Sequence, residues 1–186
     1  NLNGFGMPIE TIIRSLIRLS KVEQEIGLSL KNCYPNLSFA LNGLHGMGHE
    51  IRVMFWVLVI AEEVKRTGIS ISDQEITAAL YAAFIHDLRR SRDFPEEKHG
   101  QASADAFRAH LKSRLDSVLL ERWLEAVRVH SLSKDPEDDD ILWKILKDAD
   151  ALDRGRFAPP NNDKGCQSRY FRLSVLKGNE KQVSNF

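Results

Sequence analysis

Apolar residues in this chain recur at intervals of three and four, the spacing that lays them along one face of a helix. Ile9, Ile12, Ile13, Leu16, Ile17 and Leu19 form the first such stripe. A second helix is expected from about Gly46 to Arg66, with Gly68 as its stop. Ser72-Asp73-Gln74-Glu75 has the spacing of a capping box and opens a helix carrying Ile76, Leu80, Ala83 and Phe84. Pro95-Glu96-Glu97 begins the next, with Ala102, Phe107 and Leu111 on its inner side. Asp116 is placed to cap a helix containing Leu119, Leu120, Trp123, Ala126 and Val127. Pro136 and the acidic run Glu137 to Asp140 precede a helix with Ile141, Ile145, Leu146 and Ala149, where negative charge suits the helix dipole. Arg154 to Gly165, with Pro159-Pro160-Asn161-Asn162, reads as a loop, and Tyr170 to Leu176 as a short closing helix. No alternating strand pattern, internal repeat or low-complexity segment interrupts this order. The expected fold class is all-α, a single helical domain of six to eight helices.

Composition narrows the picture. The chain has 186 residues, enough for one domain to bury a core without disulfides or a structural metal. Lys plus Arg is 26 and Asp plus Glu is 26, so no basic excess marks a surface for extended nucleic acid. Cys33 and Cys166 have no paired spacing, which points to a reducing compartment, the cytoplasm. The most apolar run, Val53 to Ala61, is far below the roughly 20 residues of a bilayer helix, and Glu62, Glu63, Lys65 and Arg66 follow it. No membrane span and no secretory leader are expected. Asn1 to Gly6 precede Met7, so residues 1–7 read as an appended or disordered start and residues 8–186 as the domain.

The chemistry lies where His and Asp interrupt apolar helices. His45 and His49 stand at the start of the second helix, and His86-Asp87 ends the apolar segment Ala82-Ala83-Phe84-Ile85. His99 opens the helix after Pro95, His130 closes Ala126-Val127-Arg128-Val129, and Asp148 and Asp150 lie in Leu146 to Leu152. One histidine at a helix start is usually a cap, and one aspartate at a helix end is usually solvated. Five of the six histidines at helix ends, together with buried-looking aspartates, call for a compensating positive charge. A divalent metal supplies it most compactly. His110, mid-helix between Arg108 and Lys112, reads as exposed.

In this order the residues resemble the HD-domain superfamily of metal-dependent phosphohydrolases. That framework is a His, a His-Asp doublet and a distant Asp; the matching positions are His49, His86-Asp87 and Asp150. The stretch from His86 to Gly100 is similar to a variant in which the doublet is followed by an Arg, an Asp and a His-Gly pair, here Arg90, Asp93 and His99-Gly100. The resemblance spans about Leu44 to Phe157, and the domain core is set at residues 44–157. It implies His49, His86, Asp87 and Asp150 as metal ligands, with Asp148 left to capping or support of a ligand. It also implies that His99 and His130 either hold a second ion, bridged by Asp87, or bind substrate phosphate beside a single ion. The implied cofactor is one or two divalent ions, Mn, Fe, Co, Ni or Zn, with Mg also admitted.

The implied activity is hydrolysis of a phosphomonoester or phosphodiester, a nucleotide first among candidates, through a metal-activated water. Asp87 is the expected catalytic proton acceptor if one of its oxygens is free of metal. Arg90 and Arg52 are the expected phosphate anchors, with Arg89, Arg154 and Arg156 behind them. His45, one helical turn from His49, is an expected substrate contact. The loop after Asp150 is a candidate lid. The expected partner is a small phosphorylated substrate, and self-association is left open. Two other readings stand beside this one: an HD-fold di-iron oxygenase, and a nucleotide-binding regulatory module.

Overall fold

A computed structural model describes residues 14, 17–21, 24, 44–90, 96–113, 115–133, 135–154 and 171–177. Among the described residues the chain is helical, with no strand. Five helices are described in full: α1 Met47–Arg66, α2 Asp73–Ile85, α3 His99–Leu111, α4 Ser117–Val129 and α5 Ile141–Asp153. Residues 14, 17–21 and 24 are also helical; the rest of the first apolar stripe lies outside the described residues. Ile17 points to solvent and Leu19 packs on the core.

Local chemistry sets the boundaries. The Ser72 hydroxyl accepts from the Glu75 amide at 3.1 Å while the Glu75 carboxylate accepts from the Ser72 amide at 2.9 Å, so the capping box forms in both directions. Asp116 accepts from the amides of Val118 and Leu119, and Asp140 from that of Leu142. Each such cap stabilises its helix by about 1 kcal/mol. Gly68 ends α1 at φ +90°, a left-handed conformation open to glycine at little cost.

α2 occupies the centre. From Ala78 to Ile85 every residue is buried, so the C-terminal two turns of the helix have no solvent face, while Asp73 and Gln74 in its first turn are exposed. α1 and α4 pack on it, α5 packs on α1 and α4, and α3 lies mainly against α4. Trp123, Phe84, Phe107, Met54 and Leu80 fill the middle. Because α2 runs into the core, both residues of the His86-Asp87 pair at its end are buried. Among the described residues, no helix is long and apolar enough to cross a membrane.

Four expectations differ from the structure. α3 begins at His99; Glu96 precedes it and Pro95 lies outside the described residues. Its inner face is His99, Gly100, Ser103, Ala104, Phe107 and Leu111, so Ala102 faces solvent, and His110 is half-buried rather than exposed. Residues 171–177 form turns, not a closing helix, with Phe171, Leu173 and Leu176 buried. The reason is a side chain on α5: the Asp148 carboxylate accepts from the amides of Arg172 and Leu173 at 2.9 Å, bonds that hold those turns without a helical ladder. Tyr170, Cys33, Cys166, Asp93, Arg156 and the loop after Arg154 lie outside the described residues.

Candidate metal centre

The ends of four helices and one turn converge on Asp87. Its Oδ1 lies 2.7 Å from His99 Nε2, 3.2 Å from His130 Nε2 and 3.9 Å from His86 Nε2. Its Oδ2 lies 2.8 Å from His45 Nδ1, 3.4 Å from an Arg90 guanidinium nitrogen and 3.7 Å from His49 Nε2. His49 Nε2 in turn is 3.2 Å from His86 Nε2 and 3.5 Å from Asp150 Oδ1. His99 Nε2 and His130 Nε2 are 2.9 Å apart. Each of the six expected ligand side chains is therefore in the cluster.

The outward nitrogen of each ring decides what the inward one can do. His86 Nδ1 donates to the Ala83 carbonyl and His130 Nδ1 to the Val127 carbonyl, both at 2.6 Å, and His99 Nδ1 donates to the Glu96 carbonyl. A carbonyl can only accept, so Nδ1 carries the hydrogen in each case. His49 Nδ1 donates to Asp153 Oδ2 at 2.6 Å, with the same result. In the neutral rings Nε2 is then a bare lone pair. Were both rings neutral, two such lone pairs would face each other across the 3.2 Å His49–His86 contact and two more across the 2.9 Å His99–His130 contact, an arrangement that repels unless a proton or a metal ion lies between them. Metal–nitrogen bonds of about 2.1 Å put neighbouring ligands about 3 Å apart, which is the spacing found. Three sets of donor atoms are mutually close enough to hold an ion: His45, His49 and Asp87; His49, His86 and Asp150; and His86, Asp87 and His130.

The electrostatics carry the same demand for positive charge. Burial would raise the Asp87 pKa, but the His86 charge and contacts from His130, His45 and His99 hold it well below the usual carboxylate range. Asp150 behaves alike: burial opposes its charge, and Arg154, His49 and His86 outweigh burial and lower its pKa. Burial pushes His130 down to about 4 and also lowers His49, so both are neutral and ready to donate a lone pair at neutral pH. His86 goes the other way. Burial works against its charge, yet Glu50, Asp87 and Asp150 raise it to about 10. In the absence of a metal, the carboxylates draw in a proton instead.

Two residues not among the expected ligands lie beside the centre. Asp153 accepts from His49 Nδ1 and from Arg52 Nε, each at 2.6 Å, and so fixes the ring that presents Nε2 inward. Glu50, fully buried, has Oε2 2.9 Å from His86 Nδ1, and burial pushes its carboxyl up to about 8. The signal for Asp153 was its spacing: it follows Asp150 by three, which puts both on one helical face. Glu50 had a fainter one, a charged residue next to His49 on a helix that is apolar on most sides.

The cations and spare carboxylates fall out as follows. Arg90 is mostly buried and reaches Asp87. Arg52, expected to face a substrate, clamps Asp153 with two nitrogens while about half of its side chain stays exposed. Arg154, half exposed, donates to Asp150 Oδ2 at 2.9 Å. Asp148 turns away from the cluster toward the turns at 171–177, which leaves Asp150 as the α5 carboxylate beside His49.

A family model described as HD domain matches residues 46–155, well over half of the chain. The matched span holds His49, His86, Asp87, His99, His130, Asp150 and Asp153, and stops one residue short of His45. No curated protein and no solved structure matches the chain.

Proposed function

Because the chain belongs to the HD domain family, a superfamily of metal-dependent phosphohydrolases, we propose that it hydrolyses a phosphomonoester or phosphodiester, with nucleotides the first class to test. The observation that carries this reading is the convergence of four imidazole Nε2 atoms on one buried carboxylate, each ring held from behind by a hydrogen bond from Nδ1.

His49, His86, Asp150 and Asp87 would hold one divalent ion, and Asp87, His99 and His130 a second. Bound there, such an ion polarises a phosphoryl oxygen and lowers the pKa of water to about 7. The two Asp87 oxygens face different histidines, which suits a bridging carboxylate. Were both oxygens taken by ions, Asp87 would fix the two ion positions; with one oxygen free it would accept the proton of the attacking water. Arg90 stands beside Asp87 with planar donors matched to phosphate, and Arg154 and Arg52 flank the cluster from its exposed side. Asp153 orients His49, the Ala83 carbonyl orients His86, and Glu50 lies 2.9 Å from His86 Nδ1. A cytoplasmic location accords with the unpaired cysteine spacing.

A phosphate-release screen over nucleotides and small phosphate esters tests this, with Mn, Fe, Co, Ni and Mg in turn. Turnover of at least one substrate, abolished in Asp87→Ala, is expected. Metal-loaded protein that releases phosphate from none of them, and instead consumes oxygen with an organic substrate when loaded with iron, would replace the hydrolase reading with the di-iron one. Nucleotide binding without either reaction would favour the regulatory module.

A further inference from the structure

His45 stands apart from the other histidines of the cluster. It lies in the turn before α1 and just outside the span matched by the family model, and its side chain is about one-fifth exposed. It also presents Nδ1 to Asp87, whereas the other four present Nε2. That Nδ1 is buried and only 2.8 Å from Asp87 Oδ2, yet the two atoms are not aligned as a hydrogen bond. Close approach without alignment is what two ligands of a single ion show. The His45 ring meets the His49 ring edge-on at 5.3 Å between centroids, and donor atoms of His45, His49 and Asp87 are mutually close enough to share a cation.

Resting on the metal-centre reading above, we propose that His45 is a metal ligand, a fifth protein donor to the ion held by His49, His86, Asp150 and Asp87. Asp87 divides most of the donors: Oδ1 faces His99 and His130, while Oδ2 faces His45 and His49; His86 stands between, 3.9 Å from Oδ1, and its 3.2 Å approach to His49 Nε2 assigns it to the first ion. The two ions are therefore bound unequally. The first has five protein donors, one of them at the exposed mouth of the centre; the second has three. Transition ions with nitrogen and oxygen ligands accept five or six donors, so the first position has little room for substrate oxygens while His45 is in place. The second keeps more.

The test is cobalt binding to the chelator-stripped full chain, without substrate, read by calorimetry and by the visible spectrum of the bound ion. Wild type, His45→Ala and His45→Gln are compared, with circular dichroism and the melting temperature of the metal-free proteins as checks on folding. Both variants are expected to fold as wild type, to lose about tenfold or more in affinity for one ion only, and to show a shifted cobalt spectrum. Unchanged affinity and spectrum in His45→Gln would overturn the proposal and return His45 to a substrate contact, with the metal centre intact. Wild type that binds no cobalt would overturn the metal-centre reading itself.

Discussion

At the residue scale the centre depends on side chains that touch no ion. Asp153 is buried and spends its carboxylate on two donors, His49 Nδ1 and the Arg52 guanidinium. The contact fixes the tautomer and the ring plane of His49. Asp153→Asn keeps the shape and removes the charge, so the fold is expected to persist while metal affinity falls about 10- to 100-fold. Calorimetric titration of the stripped protein with manganese measures it, and equal affinity in the variant would remove Asp153 from this role. The histidines and the doublet were legible in the sequence because polar residues in apolar helices have no ordinary explanation. The choice of Asp150 over Asp148 came from the family resemblance, not from the polar pattern itself. Two positions apart on a helix they point to nearly opposite sides, and only packing shows that Asp148 faces the turns at 171–177. Arg52 stands one turn after His49 as expected, and the carboxylate it grips comes from a helix a hundred residues away.

At the element scale the second half of the cluster depends on how closely α3 approaches α4. A Cβ on Gly100 would lie 2.4 Å from the Val127 carbonyl oxygen and 3.0 Å from that of Arg128, so only glycine lets the two backbones meet. That approach sets His99 against His130. Gly100→Ala is expected to destabilise the domain by about 1–3 kcal/mol and to weaken the ion at His99 and His130 more than the other. Denaturant melts and metal titration check the two effects, and a variant with unchanged stability would show that the helices do not need this contact. Another link ties α5 to the chain beyond it. Asp135 pairs with Lys147 of α5 at 2.7 Å and with Arg172 at 3.1 Å. Burial would raise the Asp135 pKa, but Arg172 and Lys147 lower it below 3.8. A depressed carboxylate contributes stability above its unfolded pKa and loses it as pH falls through the folded one. Asp135→Asn should therefore melt below wild type at pH 7, and the gap should close as pH drops below about 4. A gap that stays constant with pH would mean that the ion pair contributes nothing. These links were not legible in sequence, since each joins residues whose partners are set by helix packing.

At the scale of the whole molecule, the buried course of α2 makes the site. A helix buried on all sides from Ala78 on carries His86 and Asp87 into a region where isolated charge is costly, and α1, α3, α4 and α5 bring their histidines and carboxylates to the same place. The all-α class and most helix boundaries followed from periodicity and caps, which are local. The start of α3 and the turns at 171–177 did not, because a histidine on Asp87 and an aspartate on distant amides decide them. The most direct measurement is the ion content of the full chain after purification without chelator and dialysis against manganese, with Asp87→Ala alongside. Two ions per wild-type chain, and clearly fewer in the variant, is the expected result. A wild-type chain that retains none would contradict the metal centre, and with it the proposed hydrolysis.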